Sequence, residues 1–259
     1  MQVYYMNGAG NDFMVLDARK LEMLDFSSLA RLWCPLVGAD GFMAVGNSDT
    51  ADFRLHFYNA DGSRGEMCGN GARCICCFAY DMGIAGEEMS VQTDAGIVLG
   101  WRLDENRYRV KLNNPGMLDL NRKGDIAYVE LGNPGVPHAV AEYTGDLWGD
   151  KEAIKASMEA LRYDPAFPKG ANVNFYQVLG DAEVRVLTFE RGVEDFTLAC
   201  GTGTGSVACV LRRKGLLPGG NLTAHNPGGT LAVTLEESDG EFSAIYLEGP
   251  TEIVKIYDL

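Results

Sequence analysis

The segment RLHFYNADGSRGEMCGNGARC (54–74) lies without gaps on VLTFERGVEDFTLACGTGTGS (186–206), at a constant offset of 132 residues. Leu55 meets Leu187, Phe57 meets Phe189, Cys68 meets Cys200, Gly69 meets Gly201 and Gly71 meets Gly203. Downstream, DAGIVLGWRLDENRYRVKLNNPG (94–116) resembles NPGGTLAVTLEESDGEFSAIYLEGP (226–250), with Gly96 on Gly228 and Leu103 on Leu235. Chance supplies a shared CGxG, but rarely flanking strands and a hairpin in the same order. Self-similarity at a fixed spacing sets the unit of folding, so it is weighed before any local signal. We expect two homologous halves: 1–115, joined by a C-terminal strand at 250–259, and 116–249.

Each half reads as strand, polar loop, helix and β-hairpin. Phe53, Leu55 and Phe57 alternate with Arg54, His56 and Tyr58, the period of a half-buried strand over 52–58. NADGSRG (59–65) then breaks the pattern with turn residues. From Gly69 to Tyr80 no proline interrupts a dense apolar run, which predicts a helix stopped by Gly83. The second half repeats the order with a strand over 183–190 and a helix over 204–214, stopped by Gly215. Further strands are expected at 13–17, 126–131, 138–143 and 172–179, and a helix at about 151–161. Strands outnumber helices and alternate as in antiparallel sheets.

With 259 residues, 46% of them hydrophobic, the chain can bury a substantial core. A formal charge of −14 argues against nucleic-acid or anionic-membrane binding, which needs clustered cations, and favours a small-molecule partner. MQVYYMNGAGND at the start lacks the basic, apolar and small-residue pattern of a secretion signal, and no apolar run is long enough to span a bilayer, so a cytoplasmic location is expected. Seven cysteines are an odd number in a chain too long to need disulfide staples, which favours reduced thiols.

Cys68 and Cys200 each precede a glycine-rich turn that opens a helix. There, unsatisfied backbone N–H groups and the positive end of the helix dipole lower a thiol pKa from ~8.5 toward neutrality. The glycines let backbone amides approach a bound carboxylate. Taking a proton from one face of an sp³ carbon and returning one to the other needs two acid–base groups, one of them unprotonated. A matched pair of thiols meets that demand. The amides around Gly69, Asn70, Gly201 and Thr202 are candidates to stabilise the dianionic carboxylate that develops.

Other readings of these motifs fit less well. As a dinucleotide loop, CGTGTG has the wrong spacing and no acidic residue about 20 positions on, where 221–226 read NLTAHN. The CxxC of Cys74 and Cys77 falls inside the predicted helix rather than at its start. A zinc site from Cys68, Cys74, Cys76 and Cys77 lacks two separated ligand pairs and has no histidine nearby. Cys34, Cys74, Cys77 and Cys209 are expected in the core. Taken singly, Cys68 and Cys200 would also read as structural thiols, and only their matched placement favours chemistry.

GAGNDF (8–13), VGAD (37–40), FYNADGSRGEMCGNGARC (57–74), VPHAV (136–140), FPKGANVNF (167–175) and FERGVEDFTLACGTG (189–203) resemble, in order, the diaminopimelate epimerases, within the superfamily that includes proline racemase. The resemblance implies an α/β (α+β) chain of two pseudo-symmetric domains. Each would be a mostly antiparallel sheet wrapped around a central helix, with the active site in the interdomain cleft. It implies an isomerase without pyridoxal phosphate or metal, with Cys68 and Cys200 exchanging the roles of thiolate base and thiol acid. It places Gly69, Asn70, Gly201 and Thr202 around the reacting carboxylate. Asn11, Asn59, Asn172, Glu190 and Arg191 surround the rest of the substrate, and His138 and Glu190 tune the thiols.

Arg191 lies nine residues before Cys200, as Asn59 lies nine before Cys68. An arginine fork there would take a second carboxylate and Glu190 an ammonium, which suits a molecule with two amino-acid ends such as diaminopimelate. The chain departs from the common family pattern at Met6-Asn7 (Lys-His in many members), Gly41 (glutamine in several) and Val136, where the usual GNPH carries a substrate-binding asparagine. Asn133 lies three residues too early to replace it. The leading expectation is interconversion of LL- and meso-diaminopimelate for lysine and peptidoglycan synthesis. The alternatives are a racemase of another amino acid such as histidine, and a non-catalytic thiol redox or ligand-binding protein. The expected partner is a small-molecule amino acid, with neither nucleic acid nor membrane, and a homodimer stays open.

Overall fold

GFMAVG (41–46) is buried at every position, so it shows no alternation: a strand covered on both faces reads as a continuous apolar run. The computed structural model describes residues 1–21, 24–65 and 68–258; Glu66 and Met67 of the first cysteine motif and Leu259 of the expected last strand lie outside them. By its packing the chain divides into two units, Met1–Lys111 with Glu248–Leu259, and Leu112–Leu247.

In the first unit β1 (Gln2–Gly8) and β2 (Asn11–Asp17) form a hairpin whose turn residues, Ala9 and Gly10, both have positive φ. Helix α1 (Phe26–Val37) crosses over to β3 (Gly41–Gly46), parallel to β2. Strand β4 (Phe53–Asn59) runs antiparallel to β3, and α2 (Gly69–Asp81) crosses to β5 (Glu88–Thr93), parallel to β4. Strands β6 (Gly96–Arg102) and β7 (Arg107–Leu112) follow in an antiparallel meander.

The second unit repeats this order. After β8 (Pro115–Lys123), β9 (Ile126–Gly132) and β10 (Gly135–Glu142) form the hairpin, and α3 (Lys151–Arg162) crosses to β11 (Asn172–Gly180), parallel to β10. Strand β12 (Glu183–Glu190) is antiparallel to β11 and carries a short partner, β13 (Asp195–Thr197). Helix α4 (Gly201–Arg213) crosses to β14 (Asn221–Asn226), parallel to β12, and β15 (Gly229–Ser238) and β16 (Glu241–Pro250) follow. The last strand, β17 (Glu252–Asp258), pairs with β1 in the first unit. Each unit is thus mostly antiparallel, with two parallel crossovers. No helix among the described residues is long and apolar enough to cross a membrane.

Strand periodicity splits each sheet between two helices. Met14, Leu16, Phe42 and Ala44 pack with the α1 residues Ala30, Trp33 and Cys34. On the other face, a Cβ on Gly71 of α2 would lie 3.4 Å from both Met43 Sδ and Phe13 Cζ. Helix α2 is buried from Gly69 to Ala79, so it is the central helix and α1 a cover. In the second unit α3 covers Ala139, Ala141, Val173, Phe175, Leu187 and Phe189, and α4 is central. Cys34, Cys74, Cys77 and Cys209 are buried, as expected of core thiols.

The ladders correct the gap-free alignment. Both central helices keep the 132-residue offset, from Gly69 on Gly201 to Asp81 on Arg213. The rungs that close the next hairpins, Thr93 with Gly96 and Asn226 with Gly229, show that Gly96 corresponds to Gly229 rather than Gly228. Carried back through the parallel pairings, Phe53 with Val91 and Val184 with Ala224, the same count sets Asn59 on Glu190 rather than Arg191. The reason is a one-residue insertion on each side of α4: 191–200 against 60–68 before it, and 214–220 against 82–87 after it.

Helix α4 begins at Gly201, three residues before the expected 204. Glycines lower helix propensity, but packing overrides it: a Cβ on Gly203 would lie 2.1 Å from Asn174 Oδ1. Helix α1 is missed because Pro35 sits inside it. Its signals were the Asp25 cap, which accepts from Ser28 N, and Gly38 at φ 73° after its end.

Gly8 shows how closely β1 approaches α2: a Cβ there would lie 2.6 Å from Cys74 Sγ and 3.1 Å from Asn70 O. Gly8→Ala is expected to cost about 1–3 kcal/mol of stability, read as a lower urea midpoint with an unchanged m-value.

Candidate active site

Cys68 and Cys200 are the N-cap residues of α2 and α4, in matching extended conformations (φ −104°, ψ 126° and φ −120°, ψ 112°). Their carbonyls accept the first helical bonds, from Ala72 N at 2.8 Å and Thr204 N at 2.9 Å. Gly69, Asn70, Gly201 and Thr202 follow as first-turn residues, where backbone N–H groups lack helical acceptors. No acidic residue occupies the first turn of either helix, so its positive potential is available to an anion. Cys200 Sγ accepts from Gly203 N at 3.4 Å and lies 3.6 Å from Thr202 Oγ1.

In the first unit the buried Asn70 donates to Asn11 Oδ1, and Asn11 Nδ2 donates to Asp40 Oδ2 at 3.1 Å. Asp40 also accepts from Asp12 N at 3.0 Å, so GAGNDF, VGAD and the cysteine loop meet to orient Asn11. Asn59 is exposed at the end of β4, where its Nδ2 donates to Ser63 Oγ at 2.9 Å. Gly41 faces Asn59 in the ladder, and a Cβ there would lie 2.6 Å from Phe57 Cε2 and 2.9 Å from Tyr58 O. The Phe57 ring therefore fills the space that a longer side chain at 41 would need.

In the second unit a buried polar cluster lies on the sheet face turned to α4. Asn174 Nδ2 reaches His138 Nδ1 at 3.0 Å, Asn172 O at 3.1 Å and Ala139 O at 3.3 Å, while its Oδ1 accepts from Thr188 Oγ1 at 2.9 Å. Two carbonyls fix the amide's NH₂ on the histidine side. The NH₂ offers two hydrogens to three acceptors, so Nδ1 faces a donor group and the ring proton is favoured on Nε2, which has no hydrogen-bond partner among the described residues. Asn172 Oδ1 accepts from Arg191 N at 2.8 Å, and Arg191 Nη1 donates to Lys169 O at 3.0 Å. Glu190 ends β12 beside them, half-buried.

Matching rungs show what each half carries. His138 pairs with Asn172 as Phe13 pairs with Gly41, so His138, Asn174 and Thr188 take the places of Phe13, Met43 and Phe57. Val136, opposite Leu131, takes the place of Asn11, opposite Gly8. Asn133 is exposed in the two-residue turn between Gly132 and Gly135 and does not fill that rung. Asn174 and Thr188 were not singled out from the sequence. Their signal was NVN (172–174), two amides two residues apart on one face of an otherwise apolar strand.

Burial, with Arg191 nearby, pushes His138 down to about 3. The folded chain then keeps it neutral, while the unfolded chain takes up a proton near pH ~6.5. The unfolded state binds more protons between these values, so stability falls as pH drops from ~6.5 to ~3 and levels off below. His138→Gln is expected to flatten that loss by up to about 1.4 kcal/mol per pH unit, measured by urea unfolding at about pH 5 and about pH 7.

A sequence model of the family "Diaminopimelate epimerase" matches residues 3–118 and 128–254. The diaminopimelate epimerase of Aquifex aeolicus is 37% identical over 84% of this chain and 83% of its own length. That of Chlorobaculum tepidum is 35% identical over 96% and 97% of the two chains. Among solved structures, a PhzF-family phenazine biosynthesis protein from Bacillus anthracis superposes with a TM-score of 0.72 at 15% identity, covering 100% of this chain and 98% of its own. A probable proline racemase from Agrobacterium radiobacter superposes at 0.69 and 16%, covering 100% and 92%. The two structures share the fold, and the sequence matches give the family. This chain belongs to the diaminopimelate epimerase family.

Proposed function

We propose that the chain interconverts LL- and meso-diaminopimelate by two-base proton transfer at the α-carbon, in the service of lysine and peptidoglycan synthesis. The observation that carries this reading is the pair of matched helix N-termini, each with a cysteine at the N-cap and a glycine after it, in a chain of this family. One of Cys68 and Cys200 acts as thiolate and takes the α-proton. The other, as thiol, delivers a proton to the opposite face, and the reverse reaction exchanges their roles. Removing that proton puts a second negative charge on the carboxylate oxygens. The amides of Gly69, Asn70, Gly201 and Thr202 meet it without reorganising.

Arg191 and Glu190 suit the distal carboxylate and ammonium, with Asn11, Asn59 and Asn172 completing the amide contacts. His138, held neutral by burial, tunes the thiols as an uncharged group rather than as a cation. Val136 favours a second reading, a racemase of another amino acid such as histidine, because it removes an amide at the rung equivalent to Asn11.

Purified protein in deuterated water, offered diaminopimelate and a panel of L-amino acids, is expected to exchange the α-proton of diaminopimelate. Exchange confined to histidine or another mono-amino acid would overturn the substrate assignment. Cys68→Ser and Cys200→Ser should each slow epimerisation by roughly 10²–10⁴-fold, and unchanged turnover in either would defeat the two-base mechanism. Arg191→Gln should raise KM for diaminopimelate by roughly 10- to 100-fold, the loss of a charge-assisted pair of about 1.5–3 kcal/mol.

A further inference from the structure

Gly203, in the first turn of α4, is pressed between two side chains. Its N–H donates to Cys200 Sγ at 3.4 Å. A Cβ on it would lie 3.2 Å from that sulfur, 2.1 Å from Asn174 Oδ1 and 3.1 Å from Asn174 Cγ. The Asn174 amide therefore rests directly against the turn that carries Cys200, and it has little freedom to yield. Asn174 is fully buried; its Nδ2 faces His138 Nδ1, Asn172 O and Ala139 O, and its Oδ1 accepts from Thr188 Oγ1. Turning the amide over would set Oδ1 against two carbonyls. One rigid side chain thus touches the His138 ring at one end and the glycine behind Cys200 at the other.

Packing alone does not call for polar groups here. In the first half Phe13, Met43 and Phe57 fill the three matching places. The helices keep their 132-residue offset, so Gly71 matches Gly203, and a Cβ on Gly71 would lie at an ordinary 3.4 Å from Met43 and Phe13. A buried amide, imidazole and hydroxyl give up water, and apolar groups of similar shape would serve stability about as well. The fold accepts an apolar set at these rungs, and the second half departs from it where the strands meet the turn that carries Cys200.

We propose that Asn174 is the positioning residue of Cys200: it holds the His138 ring and sets how closely the first turn of α4 approaches the sheet, which aims the Gly203 N–H at the sulfur. Its own polar atoms are engaged by internal partners, so it acts through Gly203 and His138 rather than on a substrate. The assignment rests on the reading of Cys200 as one of the acid–base pair.

Asn174→Leu removes the amide at similar size, and Thr188→Val removes only the hydroxyl that steadies it. Asn174→Leu should lower kcat for diaminopimelate roughly 10-fold or more with KM within about twofold, because a slightly misplaced reacting group is enough for such a loss. Thr188→Val should lower kcat about three- to fivefold, and Thr188→Ser should restore it. Iodoacetamide labelling at about pH 7.5, followed for each cysteine by peptide mass spectrometry, needs no substrate. There the Cys200 rate should fall about threefold or more in Asn174→Leu, since its thiolate loses a well-aimed backbone donor, while the Cys68 rate stays within about twofold. Unchanged kcat or an unmoved Cys200 rate in folded Asn174→Leu overturns the proposal. If the leucine variant does not fold, unchanged kcat in Thr188→Val overturns it alone. Equal changes at both cysteines mark a general loosening of the fold and overturn it as well. Selective slowing at Cys200, in a protein whose wild type exchanges no α-deuterium into diaminopimelate, would instead refute the proposed reaction and leave the placement of Cys200 standing.

Discussion

A helix sunk into a sheet leaves little room where a strand crosses its first turn, and the rest of this protein depends on that close approach. At Gly71 the neighbours are Met43 and Phe13, and at Gly203 they are the Asn174 amide and the Cys200 sulfur. At Gly203 any larger residue would meet the Asn174 amide and push the helix start, with its N-cap, away from the sheet, whereas at Gly71 a Cβ would sit at ordinary contact distance. The same glycines keep the first-turn amides open to an approaching carboxylate. Packing and chemistry therefore impose one requirement on these positions.

Duplication supplies this arrangement twice, and the differences between the copies are as informative as the likeness. The elements that hold a cysteine at an N-cap are common to both: crossover connection, central helix and covering helix. Around them each half has its own surroundings. The first sets Phe13 and Phe57 edge to face on the strand side and Arg73 on the helix. The second sets a neutral amide–histidine–hydroxyl cluster on the strands and glycine on the helix. A reaction that inverts one carbon needs two similar groups, but only one of them charged at a time.

Much of this was legible in the sequence because the repeat preserved spacing where the fold tolerates no change. The helix from Gly69 to Asp81 and its copy from Gly201 to Arg213 keep one offset throughout. The loops beside the second helix do not, since an exposed loop absorbs an extra residue at little cost. A gap-free alignment therefore carried the helices correctly and slipped by one in the strands, which set Asn59 on Arg191 instead of Glu190. Buried polar residues were hidden for another reason. Asn174 and Thr188 look unremarkable in sequence and gain meaning only when the ladder sets them on one face with His138.

Val136 bears on substrate and mechanism unequally. In the first half Asn11 is held in place from the helix by Asn70 and from the loop by Asp40. In the second half the helix residue matching Asn70 is Thr202, whose short hydroxyl lies against the Cys200 sulfur. Val136 and Thr202 therefore depart together from the amide pair that Asn11 and Asn70 form. The helix amides proposed to receive the reacting carboxylate are backbone groups and do not depend on that pair. On the proposed reading, a valine at 136 alters the lining offered to a substrate while leaving the two thiols that move its proton in place. Two-base chemistry is therefore the more robust part of the assignment, and specificity is where this chain has room to differ from its relatives.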